Sequence, residues 1–135
     1  MRNMHDERGF VLRAMVITLI VLGLIGVAAY DAGAVFLARY RAQELADKAV
    51  GDAVIQLRAG KPTQQVCAAA QATLKADDPT ARMPKKGCIV NPDPKVESVT
   101  VVVKKDANTL VVQHISALSK WAVASESSTA SNANL

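Results

Sequence analysis

The sequence predicts an α+β fold, pilin-like in outline: a single N-terminal transmembrane helix runs on as a long amphipathic helix and packs on a small antiparallel sheet. Three observations carry that expectation. Residues 10–30 form an apolar block whose only charge is Arg13, near its start. Beyond Asp31 the apolar residues Phe36, Tyr40, Leu45, Ala49, Ala53 and Leu57 recur at helical spacing with charges between them, the pattern of a helix with one buried face. Further on, Val99, Val101 and Val103 alternate with polar neighbours, which is the period of a strand.

The 135 residues divide into a polar tail at 1–9, a membrane span at 10–30, one small extracytoplasmic α+β domain at 31–124 and a flexible Ser/Thr/Asn/Ala tail at 125–135. As a helix the apolar block is ~32 Å long, about the thickness of a bilayer hydrocarbon core. Arg2, Arg8 and Arg13 crowd its near end. Arg39, Arg41 and Lys48 lie farther from the other end, where Asp31 stands, so the balance favours a cytoplasmic N-terminus and a single-pass protein of the cell membrane. Arg13 reaches back to the interface by its long stem. The small residues Val27-Ala28-Ala29 also allow an alternative, a secreted binding module released by signal-peptide cleavage near Ala29.

The long helix should run to about Ala59, stopped by Gly60 as a cap and by Pro62 beyond it. Glu44 and Lys48 are ordered to pair along its exposed side, worth about 0.2–0.5 kcal/mol. Gly51 weakens the helix interior by roughly 1 kcal/mol relative to Ala, a cost that close approach of another backbone would explain. Thr63 is placed to cap a second helix through about Lys75, with Val66, Ala70 and Leu74 as its apolar stripe and Cys67 beside it. Asp77-Asp78-Pro79 ends that helix. A Pro- and Gly-marked loop follows, broken by a short extended piece at 88–90. Residues 96–104 then read as a strand, Asp106-Ala107-Asn108 as a turn and 110–115 as the second arm of a hairpin, with 121–124 as a third strand.

Beyond the span the only large aromatics are Phe36, Tyr40 and Trp121, so Val, Leu and Ala must fill most of the core, which a cross-link would help to hold. Cys67 and Cys88 are the only cysteines, without the companions of a metal site or a redox motif. Outside the cytoplasm they form a disulfide worth about 3 kcal/mol in the chain-entropy model; inside it they stay two reduced, buried thiols. The net charge of +4 is spread over scattered Lys and Arg with no aromatic interleaving, which argues against nucleic acid as a partner. His5 and His114 lack a nearby acid or nucleophile, and Asp77-Asp78 reads as a helix terminator. The expectation is therefore no enzyme, no metal, no cofactor and no small-molecule substrate. Ala29 and Gly33 have the four-residue spacing that lets membrane helices approach closely.

The run from Asp31 through Gly33, Phe36, Arg39, Arg41, Gln43 and Asp47 to Ala49 resembles the early segment of TadE/TadG-like proteins of the bacterial tight-adherence (Tad, or Flp) pilus assembly systems. Asp6-Glu7-Arg8-Gly9 ahead of an apolar block is similar to that family too. The likeness covers mainly residues 6–60, and Asp31, Gly33, Arg39, Gln43 and Asp47 carry its motif. The chain departs from the family where Lys48, Gly51 and Asp52 break the Ala-rich stretch. It departs from prepilins in carrying Ala14 where they carry Glu. The resemblance implies a membrane-anchored, pilin-like structural component of pilus assembly or secretion. Its partners would be the membrane and other pilus-assembly or pilin-like proteins, met through the N-terminal helix.

Overall fold

The computed structural model describes residues 4–93 and 96–131, with side chains described from Gly9 onward. The first helix, α1 (Met4–Arg58), is unbroken through the junction at Asp31. From Phe10 to Ile25 its large apolar side chains are exposed, and the stretch is long and apolar enough to cross a membrane. From Ala38 onward the same helix has a buried face made of Ala38, Ala42, Leu45, Ala46, Ala49, Val50, Ala53 and Val54. One rod thus has an apolar half whose large side chains are exposed and a half that is the spine of a core.

The buried face differs from the expected one at its membrane end. Leu45, Ala49 and Ala53 are buried as expected, whereas Phe36 and Tyr40 are exposed. With about 3.6 residues per turn, Ala38 and Ala42 follow in line from Asp31, and Phe36 and Tyr40 fall on the opposite side. Small residues won the inner face because the helix lies close over the sheet. A large ring there would hold the layers apart.

The helix ends as its glycine requires. Gly60 takes φ +69°, a conformation that costs residues with a Cβ, and the last carbonyls are satisfied by Gly60 N–H to the Leu57 carbonyl at 2.9 Å and Lys61 N–H to that of Gln56 at 3.1 Å. Glu44 and Lys48 pair at 3.3 Å. Gly51 is a correction: nothing lies within 4 Å of where its Cβ would be, so no close approach explains it.

The second helix, α2 (Thr63–Asp77), buries Val66, Ala70 and Leu74 against α1. Thr63 is its first residue and not its cap; Pro62 occupies the cap position, and no side chain bonds there. Three antiparallel strands follow in spatial order: β1 (Cys88–Asn91), β2 (Ser98–Asp106) and β3 (Val123–Ser131). The centre strand β2 turns Val99, Val101 and Val103, all fully buried, toward the helices.

Two expectations for the second half of the chain are corrected. Residues 110–115 are not a strand: the segment leaves β2 and coils through two short 3-10 turns, Val112–His114 and Ser119–Ala122. The partner of β2 is β3, in a register from Asp106 opposite Val123 to Ser98 opposite Ser131. The tail expected to be flexible from 125 is therefore strand as far as Ser131; residues 132–135 lie outside the described ones. Composition misled here because the ladder is made by backbone groups. Small side chains on β3, with Ala124 buried and Ala130 half-buried, also suit a sheet face pressed against an Ala-rich helix.

Candidate functional site

The junction of the two halves of α1 is the most constructed place in the molecule. Asp31, one residue past the apolar block, is only 3% exposed. It lies on the face of the helix that continues the core stripe. Its carboxylate accepts three consecutive backbone N–H groups, with Oδ1 2.6 Å from Leu110 N and Oδ2 2.9 Å and 3.0 Å from Val111 N and Val112 N. Burial alone would raise the Asp31 pKa, but the N–H donors of Leu110, Val112 and Val111 outweigh it and hold the carboxyl below its ordinary value. The next donor, Gln113 N–H, is taken by the hydroxyl of buried Thr109 at 3.0 Å, and His114 N–H bonds to the Val111 carbonyl at 2.9 Å. Five successive amides of an irregular segment are thereby satisfied beside an apolar helix. This explains why 110–115 is not a strand: its donors are already bonded elsewhere.

The other residues of the sequence motif do separate jobs. Gln43 Nε2 donates to Asp47 Oδ1 at 3.0 Å along the surface of α1. Gly33 and Arg39 are exposed, as is Ala29. Gly33 has nothing within 4 Å of a notional Cβ, so among the described residues none packs closely on it. By helical spacing Ala29 and Gly33 lie away from the buried stripe of α1, at the rim of a groove whose other wall is Thr80, Lys105, Asp106 and Asn108. The sequence marked these positions as one motif. The structure joins Asp31 to the connection at 107–122 and Gln43 to Asp47, and leaves Gly33 and Arg39 exposed.

The remaining candidates hold the domain together. Cys67 and Cys88 form a disulfide with Cα atoms 5.8 Å apart, tying α2 to β1. Asp77 pairs with Lys48 of α1 at 3.2 Å, and that carboxylate together with Glu44 raises the Lys48 ammonium above its ordinary value. Asp78 takes the Lys105 ammonium and, at 2.6 Å, the Thr80 hydroxyl, which bring its pKa down to about 2. The pair of carboxylates is thus split between two helices and a strand. His114 is exposed in a 3-10 turn, and no group of His, Cys, Asp and Glu suited to a metal occurs among the described residues.

Sequence reasoning missed the connection at 107–122. Its apolar residues Leu110, Val111, Ile115, Leu118 and Trp121 are all exposed. A signal was present: this stretch carries Lys120 as its only Lys, Arg, Asp or Glu, and its apolar residues follow neither a strand period nor a long helical one. No family model, curated protein or solved structure matches the chain.

Proposed function

We propose that this protein is a membrane-anchored, pilin-like structural component of a bacterial Tad/Flp pilus assembly or secretion machine, similar to TadE/TadG-like proteins, with its N-terminus in the cytoplasm and the disulfide-tied domain outside. The observation that carries this reading is the continuity of α1, whose exposed apolar half passes without interruption into the spine of a small α+β core. A subunit built this way keeps one end of its helix in lipid and presents its domain at the surface. It also leaves exposed positions along the helix for neighbours. Close packing, not apolar burial, drives helix association in lipid, and Ala29 and Gly33 supply small, exposed residues for it. The disulfide supports an oxidising compartment for residues beyond Asp31.

The test has two parts. External protease on intact protoplasts should digest the domain, and the mature protein should keep the mass of the uncleaved span. Protection of the domain would overturn the orientation, and loss of about the first 29 residues would favour the released binding module. Replacing Gly33→Leu should reduce co-purification with other pilus-assembly proteins while insertion and the disulfide persist, since the site has room within its own chain. Unchanged assembly in Gly33→Leu and in Ala29→Leu would make α1 a simple anchor.

A further inference from the structure

The chain has one Trp, two Tyr and two Phe, and every one of them is exposed. A protein with so few aromatics would ordinarily bury them, because they bring the most apolar area per residue. Here the core is left to Val, Leu and Ala. Trp121, 69% exposed, sits at the end of the connection at 107–122 among the other exposed apolar residues of that segment.

Where this segment lies gives the reason. A groove on one side of α1 is lined by Leu24, Val27 and Phe36 from the helix and by Val111, Val112 and Trp121 from the connection. The connection therefore flanks the last turns of the apolar half. Leu24 is about 9 Å along the helix inside Tyr30, which matches the 5–10 Å to which interfacial elements sink into the headgroup and acyl boundary. We infer that the connection at 107–122 is a second membrane contact, in which Trp121, Leu110, Val111, Ile115 and Leu118 rest in the interfacial layer of the bilayer that α1 crosses.

Three further features agree with that occupant. Non-helical backbone is tolerated near hydrocarbon only when its polar groups are satisfied, and the amides of Leu110 to His114 are all bonded, three of them to Asp31. Trp is favoured at the boundary because its ring is amphipathic. The cations adjoining the patch, Arg39 at the groove and Lys120 beside Trp121, have stems long enough to place their charges among lipid phosphates. The patch is also continuous with exposed span residues such as Leu24, so a bilayer that covers one side chain meets the other. A second copy of the chain would have to cover both a lipid-facing helix and a domain loop. The inference rests on the reading of 10–30 as a membrane span, and it adds that the domain is held against the bilayer and does not swing freely on its helix.

Trp121 is the sole tryptophan, so its fluorescence reports this contact alone. Full-length protein should be reconstituted in phosphatidylcholine vesicles containing some phosphatidylglycerol, with and without lipids brominated high on the acyl chain, and titrated with acrylamide. The expected result is blue-shifted emission, marked loss of intensity in brominated vesicles, and weak quenching by acrylamide. Strong acrylamide quenching without any bromine effect would overturn the inference. Shielding from acrylamide without a bromine effect would overturn it as well, since it would mean cover by protein. A Trp121→Phe, Ile20→Trp double variant provides the reference within the span. If its new tryptophan is quenched by brominated lipid while Trp121 is not, the span stands and the second contact fails. If neither is quenched, the membrane reading itself fails.

Discussion

At the scale of single residues, the charge at the mouth of the apolar block proved to be a fastener. Each Asp31 oxygen serves a different part of the turn, Oδ1 at Leu110 and Oδ2 at Val111 and Val112. Asp31→Asn keeps only one acceptor oxygen and no charge, so it should loosen this turn while sparing the sheet. Amide hydrogen exchange of Leu110 to Val112 should accelerate, with β2 unchanged; unaltered exchange in the turn would show that the carboxylate is dispensable. Asp78 gives a pH dependence with a definite sign. Its folded pKa of about 2 lies below the ordinary 3.8, so its contribution is present above 3.8 and is lost as pH falls toward and through 2. Asp31 works in the same direction. Thermal unfolding should therefore shift to lower temperature across that window. Asp78→Asn should show a smaller shift, and an equal shift in parent and variant would refute the role given to Asp78. The sequence marked Asp31 by position and motif, but its three partners lie about 80 residues away in sequence, and no local pattern announces an acceptor for distant amides.

At the scale of elements, what periodicity governs was legible and what pairing governs was not. The long helix, its Gly60 stop, the second helix and the central strand all follow from apolar spacing and local backbone chemistry. The hairpin did not, because the β-formers at 110–115 were diverted by Asp31 and Thr109, while a Ser- and Ala-rich stretch with little to bury supplied the ladder. Phe36 and Tyr40 were misplaced for a related reason: helical spacing identifies a stripe, but the small residues in the neighbouring stripe set the distance to the sheet. The disulfide was readable as a pair, and its physical effect can be measured. It joins positions 21 apart in sequence and should contribute about 3 kcal/mol to the stability of the domain. The double variant Cys67→Ser, Cys88→Ser should lower the urea midpoint in detergent micelles accordingly. An unchanged midpoint would mean that the cross-link constrains nothing the core does not already hold.

At the scale of the whole molecule, the central feature is one rod with two halves, one long and apolar enough to cross a membrane and one that is the spine of the core. Its second half meets α2 and the sheet through a narrow, Ala-rich face, and its first half keeps its large apolar side chains exposed. Asp31 stands where the two halves meet and fastens the connection at 107–122 to the helix there. This architecture transmits position rigidly, because a helix without a break at Asp31 fixes the domain's height and rotation relative to the apolar half. A hinge at the small residues Ala29 to Gly33 would abolish that coupling and leave an anchor and a domain joined by a swivel. The most direct measurement is hydrogen exchange of the full chain in lipid nanodiscs, resolved along 10–58. The expected result is continuous slow exchange from the apolar half through Ala29 and Gly33 to the core stripe; a fast-exchanging gap at 29–33 would contradict the single rod.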